Sequence, residues 1–593
     1  MAEMQIIDGQ PLSHTSLQLD SSEPPWLISR TLFAAGSAVT KDIASSVSDD
    51  SLISNGIAQQ NLDVMVLKNI FDTPFSWDND EEELVRRVSF ETPETYCPVY
   101  LSARVNHDRI LSRATELWQM DEGEISEPAS LPEGMRFIDC YSDSTEGIAV
   151  ETSQVRYAAL SYVWGRPPQE DQESVSATKM PHATIPATIR DAMTVVRKLG
   201  IRYLWVDKYC IEESSKHVMI SQMGKIYKSA LITIVAAAGE NPNHGLPGVT
   251  FMYHLKYHQA KKEIKIQNVW TEIASSKWST RAWTFQEGAL SPVNLFFTPT
   301  QWVLESESAI ASDTQGSTQI GSKHSDQGVH YIFQATNEYA SRDLTYPCDS
   351  LSAFLGVLEN WQSADYSHLS GVPHNTKYGR GDSLSFGVFL HGILWGCHQI
   401  DLVRVPNVPS WTWAGWRGFT KQDRPYGQFD LTNYYKILRA WKHKDVPDID
   451  IKIYLNDAPY SLWAWDGEEL IAKLNENNEK GNLVDTLHIT GWSVVELAYS
   501  QISEFEVRWD SIAFLDRHKD RHLVMLIVFW PSPPGENTYL SSGPQILVLG
   551  KASDTKDAYH RLGRLLWDTT GGLNPEQVAI EGQYFKRRSF TLK

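Results

Sequence analysis

The chain has 593 residues, of which 42% are hydrophobic, and its formal net charge is −20. This length predicts several domains, and the composition is ordinary for a globular protein. A chain this acidic is a poor candidate for general binding to nucleic acids or to anionic membranes.

The N-terminal part of the chain has the weakest pattern. Residues 1–60 are rich in Ser and Asp, and we expect them to be mostly disordered. Residues 61–135 form an N-terminal extension, and we expect its acidic run at 78–83 to be solvated. The chain begins without the pattern of a secretory signal, and its apolar runs are too short to span a bilayer. We therefore expect a cytoplasmic protein with no membrane span.

Residues 136–304 alternate between strand patterns and helix patterns. The strand patterns are RFIDC, YAALSYVW, RYLWVDKYCI and LITIVAAAG, and the helix patterns are IPATIRDAMTVVRKLG and VMISQMGKIYKSA. In the first helix pattern Pro186 suits the first helical position and Gly200 suits the C-terminal cap. The strands are apolar runs without alternation, which is typical of a parallel sheet covered on both faces. We therefore predict an α/β domain built on an open parallel sheet.

The rest of the chain shows a different order of elements. Residues 305–330 are poor in apolar side chains, and we expect a flexible loop. In residues 331–593, LSAFLGVLENW and SFGVFLHGILWGC predict helices, whereas LHITGWSVVEL, HLVMLIVFW and PQILVLGKA predict strands. We expect an α+β C-terminal region that packs on the first domain.

Polar and aromatic residues follow the ends of the predicted strands. Ligands of open parallel sheets bind beyond the carboxyl ends of the strands. The residues expected to line a cleft there are Trp164, Gly165, Asp207, Tyr209, Cys210, Glu212, Glu213, Gly239, Glu240, Arg281, Trp283, Gln286 and Glu287. A structural role is a substantial alternative for each residue. Asp207 would also fit as the cap of the turn that follows it, and Arg281 would fit as the ion-pair partner of Asp207.

Other kinds of site find little support in the sequence. The five cysteines are scattered and form no CxxC motif, so we predict neither a zinc ribbon nor a disulfide framework. Two His pairs at helical spacing lack the Glu of HExxH, and we predict no metal site. The chain contains no GxSxG motif and no P-loop motif.

Several long motifs resemble one known family. YAALSYVWG, RYLWVDKYCI, QMGKIYKSALITIVAAAG and WSTRAWTFQEGALS resemble, in this order, the blocks of the fungal heterokaryon incompatibility (HET) domain. SRDLTYPCDSLSAFLGV and VPSWTWAGW resemble the region that often follows. The resemblance implies non-self recognition and regulated cell death, with self-association or a protein partner. One block departs from the family, because Glu212 and Glu213 stand where Asp or Asn and then Gln are usual.

The HET domain is in turn distantly similar to the Toll/interleukin-1 receptor (TIR) domain, which has a flavodoxin-like parallel sheet. Some TIR domains hydrolyse NAD, and others are adaptors. In the NAD-cleaving ones a catalytic Glu follows a Trp by a few residues, as Glu287 follows Trp283 here. The resemblance implies Glu287 as the candidate catalytic residue, with Asp207 as a second candidate.

Two functions follow from this resemblance and stay open. One is a death-effector or adaptor module that signals by contact. The other is an NAD glycohydrolase, for which NAD is the substrate and no cofactor is required. In the glycohydrolase, Arg281 would pair with the pyrophosphate of NAD. The ring of Trp164, which stands beside Gly165, or the ring of Trp283 would stack on a base or on nicotinamide. A regulatory role in a metabolic cluster is a third possibility. We also hypothesise that the C-terminal region packs against the cleft and restrains it.

Overall fold

The computed structural model describes most of the chain from residue 77 onward, in segments. Our prediction of disorder for residues 1–60 lies outside the described residues. The described residues are 77–78, 85–89, 100–103, 105–121, 131–132, 134–141, 148–150, 155–165, 185–249, 253–258, 263–267, 269–312, 318–319, 328–375, 383–396, 401–426, 449–462, 467–502, 505, 507–518, 520–529, 545–552, 558–566, 579–580 and 583–593.

The elements of the N-terminal half, residues 77–319, alternate between strands and helices. In chain order they are β1 (Trp77–Asp78), β2 (Val85–Ser89), β3 (Tyr100–Ala103), α1 (His107–Asp121), β4 (Arg136–Asp139), β5 (Ile148–Val150), β6 (Tyr157–Ser161), α2 (Ala187–Lys198), β7 (Tyr203–Trp205), α3 (Asp207–Cys210), α4 (Lys216–Ser221), α5 (Met223–Ser229), β8 (Ile232–Ala236), β9 (Tyr253–His258), β10 (Glu263–Gln267), α6 (Val269–Ser275), α7 (Trp283–Leu290), β11 (Asn294–Phe297), β12 (Trp302–Glu305), β13 (Ala309–Ser312) and β14 (Thr318–Gln319).

A nine-stranded sheet in the order β14-β13-β12-β11-β8-β6-β7-β4-β5 forms the centre of this half. The four middle strands, β11, β8, β6 and β7, are parallel to one another. The flanking pairings on both sides are antiparallel. Our prediction of a parallel sheet is therefore confirmed for the four middle strands and wrong at the edges, so the sheet is mixed. A second sheet, β1-β2-β10-β9-β3, is antiparallel throughout.

Two predictions in this half need correction. The expected loop 305–330 contains β13 and β14, which extend the sheet beyond the predicted boundary at 304. The second predicted helix is divided at Gln222 into the short helices α4 and α5. The first predicted helix is confirmed as α2, but Pro186 precedes it as the N-terminal cap. Gly200 follows it with a φ of +73°, which only glycine adopts without strain.

The elements of the C-terminal half, residues 328–593, begin with helices and continue mainly with strands. They are α8 (Val329–Ala340), α9 (Ser352–Trp361), β15 (Tyr366–Leu369), β16 (Val372–Asn375), α10 (Ser383–Ile393), β17 (Val403–Arg404), β18 (Trp416–Arg417), β19 (Ile449–Leu455), β20 (Ala458–Ser461), α11 (Gly467–Glu479), β21 (Leu487–Leu497), α12 (Tyr499–Ile502), β22 (Val507–Trp509), α13 (Ile512–Leu515), β23 (Leu523–Phe529), β24 (Gln545–Lys551), β25 (Ala558–Leu566), β26 (Ala579–Ile580), β27 (Gln583–Tyr584) and β28 (Lys586–Leu592).

The predicted helices and strands of this half are confirmed as α9, α10, β21, β23 and β24. Strand β28 pairs with both β21 and β25, which closes β21, β23, β24, β25 and β28 into a ring. Successive residues of β23 fall alternately in two separate hydrophobic cores. Both faces of this antiparallel strand are therefore buried, which explains its unbroken apolar sequence.

A buried ion pair ties the ring to helix α10. Arg561 of β25 and Asp510 are 0% and 1% exposed, and two hydrogen bonds of 2.9 and 3.0 Å join them. The guanidinium of Arg561 also donates to the carbonyl oxygens of Ile393 and Trp395 and lies over the Trp395 ring, 3.6 Å from its centroid. These contacts satisfy a charge that would otherwise be buried at high cost.

Helix α7 joins the two halves of the chain. It packs between α5 of the N-terminal half and α9 of the C-terminal half. Helices α5 and α9 meet at two glycines, because a Cβ added to Gly224 would lie 2.8 Å from the Cα of Gly356. Phe285 and Leu290 of α7 belong to the hydrophobic core of the C-terminal half. The two halves therefore share a core through this helix.

Candidate functional site

The buried part of the site lies where β6 ends. The indole N–H of Trp278 donates to the Ser161 hydroxyl oxygen over 2.6 Å, and the Ser161 hydroxyl donates to the carboxyl group of Glu287. Ser161 is the last residue of β6, and Glu287 lies on α7, which packs against this strand. This hydrogen-bond chain fixes the Glu287 carboxyl group at the carboxyl end of the central parallel strand.

The environment of Glu287 favours its neutral form. The side chain is 4% exposed, and burial is the largest cause that raises its pKa, to about 7. The negative charge of Asp207 raises the pKa further, whereas the Ser161 hydrogen bond and the charge of Arg281 lower it. Glu287 thus changes its charge close to neutral pH, which suits an acid–base or charge-stabilising group.

Asp207 begins the short helix α3, directly beyond the end of β7. Its carboxylate accepts hydrogen bonds from the indole N–H of Trp164, at 3.1 and 3.2 Å, and from the backbone N–H of Lys208, at 2.6 Å. Burial raises the pKa of Asp207 to about 6. Trp164 itself is 41% exposed. The predicted pair of Trp164 and Asp207 therefore forms a contact between the ends of two neighbouring strands.

Arg281 is half-buried at the start of the segment that leads into α7. Its positive charge lowers the pKa values of Asp207 and Glu287 and so opposes part of the effect of their burial. Among the described residues, no carboxylate lies within ion-pair distance of this guanidinium. The ion pair with Asp207, which was the structural alternative for these two residues, is therefore absent from this part of the structure.

Tyr162 belongs to the site, although the sequence did not indicate it. It follows β6 directly and is 4% exposed. Burial raises the pKa of its hydroxyl well above the usual value, and the charges of Asp207, Arg281 and Glu287 also act on it. Tyr209, half-buried beyond β7, is another neighbour. An aromatic residue in an apolar motif is typical of a core. Only its electrostatic interactions with residues distant in the sequence therefore identify Tyr162 as part of the site.

Gly165 brings the loop after β6 close to the loop after β8. Its φ is +77°, and an added Cβ would lie 3.3 Å from Asn241 Cβ and from Pro242 Cδ. A side chain would therefore meet both strain and crowding at this position. The glycine therefore allows the loops that follow β6 and β8 to lie close together at the carboxyl ends of these strands.

Several predicted residues lie elsewhere. Cys210 is in the core, where burial raises its pKa to about 12. Glu212 pairs with the buried Arg136, and Glu213 forms a surface ion pair with Lys216 at 3.2 Å, so both carboxylates have partners of their own. Glu240 is exposed beyond β8, next to the buried Gly239.

Of the other predicted residues of α7, Gln286 packs towards α9, whereas Trp283 lies one turn before Glu287 on the same face of the helix. Gln286 is 1% exposed, and its Oε1 would lie 2.8 Å from a Cβ added to Gly356 of α9. Trp283 is half-buried between the cores of the two halves. Successive helical residues point in different directions, so only some side chains of this motif can face the site.

The described residues also limit the other kinds of site. No group of three or more His, Cys, Asp or Glu side chains within them is arranged to hold a metal ion. None of the described helices combines the length and apolar composition needed to cross a bilayer. The site includes two carboxyl groups, a guanidinium, the phenols of Tyr162 and Tyr209, and an exposed indole. This set can bind anions and hydroxyl groups and can stabilise a developing positive charge.

Comparison with known proteins places this site within a matched segment. No curated protein and no solved structure matches the chain. The matched segment begins at the first residue of β6 and ends at Glu287, and it includes Ser161, Asp207 and Arg281. Residues 157–287 match the family model of the heterokaryon incompatibility protein (HET).

Proposed function

We propose that the chain acts in fungal heterokaryon incompatibility, as a cytoplasmic effector of regulated cell death. The match of residues 157–287 to the HET family supports this proposal. The effector would signal through self-association or through a protein partner.

For the molecular activity, we propose hydrolysis of the bond between nicotinamide and ribose in NAD. The observation that carries this proposal is the buried carboxyl group of Glu287 beside the cationic Arg281 at the strand ends. A ligand with a pyrophosphate group and ribose hydroxyls complements this arrangement. The pyrophosphate would pair with Arg281, and the exposed ring of Trp164 would stack on a base.

The chemistry requires a negative charge near the ribose. As the C–N bond breaks, nicotinamide leaves with the electron pair and the ribose becomes an oxocarbenium-like cation. The ionised carboxylate of Glu287 would stabilise this cation. Water then adds to the anomeric carbon and loses a proton, so the products are ADP-ribose, nicotinamide and one proton. Neither a metal ion nor a redox step takes part.

The strand order supports a ligand at this position. Numbered along the chain, the four parallel strands β6, β7, β8 and β11 have the spatial order 2-1-3-4. This order is that of the flavodoxin-like doubly wound sheets, to which we propose the domain is related. In these sheets the ligand binds between the first and third strands, which are β6 and β8 here. Gly165 and Asn241 meet at this position.

An adaptor function is the second candidate, and one observation favours it. Glu287 is almost fully buried and bonded to Ser161, as a residue that only supports the fold would be. In that case Glu287→Gln should keep the signal, because the amide oxygen can still accept the Ser161 hydrogen bond.

The deciding experiment measures nicotinamide release from NAD by the purified full-length protein and its Glu287→Gln variant. The control is Glu272→Gln, because Glu272 is also buried with a raised pKa but bonds to Thr300 instead. Hydrolysis requires turnover that falls by at least about a hundredfold in Glu287→Gln and persists in the control. No turnover by the wild-type protein at high concentration would contradict hydrolysis and favour the adaptor.

A further inference from the structure

The hydroxyl group of Tyr162 differs from those of the other buried tyrosines near it. Tyr157 donates to the carbonyl oxygen of Ile226, and Tyr227 donates to that of Leu160 over 3.3 Å. Within the described part of the chain, the hydroxyl of Tyr162 has no hydrogen-bond partner, although the residue is only 4% exposed.

An unpaired buried hydroxyl reduces the stability of the free protein, because the group has lost its water without gaining a partner. Phenylalanine would fill the same space without this cost. The position of the hydroxyl therefore has no explanation in the packing of the free protein, and a bound ligand would supply the missing partner.

The surroundings of Tyr162 indicate what kind of ligand this is. Asp207, Tyr209 and Arg281 are half-buried, whereas Glu287 and Tyr162 are buried. The first three therefore keep contact with solvent, whereas the last two lie deeper in the protein and form what we call the inner end of the site. A ligand that reaches the inner end passes the Arg281 cation and meets a neutral hydroxyl donor. An oxygen acceptor attached to an anionic group fits this sequence of contacts.

We propose that the Tyr162 hydroxyl is a ligand-binding group that donates a hydrogen bond to a ribose or phosphate oxygen of an ADP-ribosyl compound. This inference rests on the proposed function, since it assigns a further contact in the same site. Arg281 holds the pyrophosphate, and Tyr162 binds the part of the ligand that lies deepest. The hydroxyl gains its hydrogen bond only when the site is occupied.

The test compares Tyr162→Phe with Tyr157→Phe in the full-length protein. Both tyrosines belong to one short segment, and both substitutions remove only a hydroxyl group. The melting temperature is measured without ligand, and the dissociation constant of ADP-ribose is measured by calorimetry. We expect Tyr162→Phe to melt no lower than the wild type and to bind ADP-ribose about tenfold more weakly. We expect Tyr157→Phe to melt lower and to bind with unchanged affinity.

Three outcomes would overturn the inference. They are unchanged affinity in Tyr162→Phe, a melting temperature of Tyr162→Phe as low as that of Tyr157→Phe, and no binding of ADP-ribose by the wild type. The failure of the proposed hydrolysis gives a different result. If the wild type binds ADP-ribose, Tyr162→Phe binds it more weakly and NAD is not cleaved, the inference stands and hydrolysis is contradicted.

Discussion

The main chains of Arg281 and Asp343 pair in a single parallel β-bridge between the two halves of the protein. The N–H of Asp343 donates to the carbonyl oxygen of Thr280 over 2.6 Å, and the N–H of Ala282 donates to that of Asp343 over 2.9 Å. The neighbouring Arg342 lies over the ring of Phe285, with its Cζ 4.7 Å from the centroid. The C-terminal half thus fixes the backbone directly before α7, the helix that carries Glu287.

This bridge leads to a prediction for a shortened chain. We expect residues 130–319 alone to show no cooperative thermal unfolding, because Phe285 and Leu290 lose the core in which they are buried. Exposure of each such side chain costs about 1.5–3 kcal/mol, and a domain has only about 5–15 kcal/mol of stability. Calorimetry of the shortened and full-length proteins checks this.

The same measurement bears on our hypothesis that the C-terminal region restrains the cleft. The described contacts between the halves include those of α7, the close approach of α5 and α9, and the main chain of Arg281. We therefore expect deletion of residues 331–593 to remove the fold of the site and not to release an active domain. A shortened protein that unfolds cooperatively near the temperature of the full-length protein would contradict this expectation.

A second prediction concerns the dependence of stability on pH. Burial raises the pKa of Glu287 from 4.5 to about 7, so the folded state binds this proton more tightly than the unfolded state. The resulting stabilisation is complete below about pH 4.5 and is lost as the pH rises through about 7. Gln is neutral at every pH. We therefore expect Glu287→Gln to match the wild type at pH 5 and to be more stable at pH 8, by at most about 3 kcal/mol.

Urea unfolding of both proteins at the two pH values measures this difference. The control is again Glu272→Gln, whose carboxyl pKa is raised by burial only to about 6, so its gain at pH 8 should be smaller. Equal stability of Glu287→Gln and the wild type at both pH values would mean that Glu287 is ionised in the folded protein throughout this range.

A third prediction concerns the ion pair between Arg561 and Asp510. We expect Arg561→Met to lower the free energy of unfolding by about 3–5 kcal/mol, because the Asp510 carboxylate would stay buried without a partner. The double variant Arg561→Met/Asp510→Leu should be more stable than Arg561→Met, since it buries no unpaired charge. Chemical unfolding measures both effects.

Arg587→Met is the control for this pair, because Arg587 is exposed on β28 of the same ring and its loss should change stability by less than about 0.5 kcal/mol. A double variant as unstable as Arg561→Met would show that the contacts of Arg561 with the Ile393 and Trp395 carbonyl oxygens dominate instead.

Much of the fold could be predicted because the relevant patterns are local. The helical spacing that predicted α2 and α9 and the apolar runs of β6 and β8 describe each element without reference to its neighbours. The direction of a strand depends on its partner, so nothing in RFIDC indicated that β4 runs antiparallel to β7. Strand β13 has the small side chains of Ala309–Ser312, which are as typical of a loop as of a strand.

The site could be predicted only in part, for a similar reason. Trp164, Asp207, Arg281 and Glu287 follow strand ends or a recognisable motif, and the structure brings them together. Ser161, which bonds to Glu287, is a small residue in an apolar strand, and its importance depends on a contact with a distant part of the chain. The position after the strands could not distinguish Gln286 from Glu287 as residues that line a cleft, because the orientation of α7 decides which of the two faces the site; only the family resemblance singled out Glu287.

The family match ends at Glu287, but helix α7 also has contacts with residues beyond the matched segment. Gln286 packs on Gly356, and the residue before α7 is bonded to Asp343. A chimera that replaced only residues 157–287 with the matching segment of a protein from the HET family would therefore place the foreign first half of α7 against a native α9. Such a transplant would keep the site only if the incoming helix offered a side chain that fits against Gly356. The unit that can be exchanged is thus longer than the unit that sequence comparison detects.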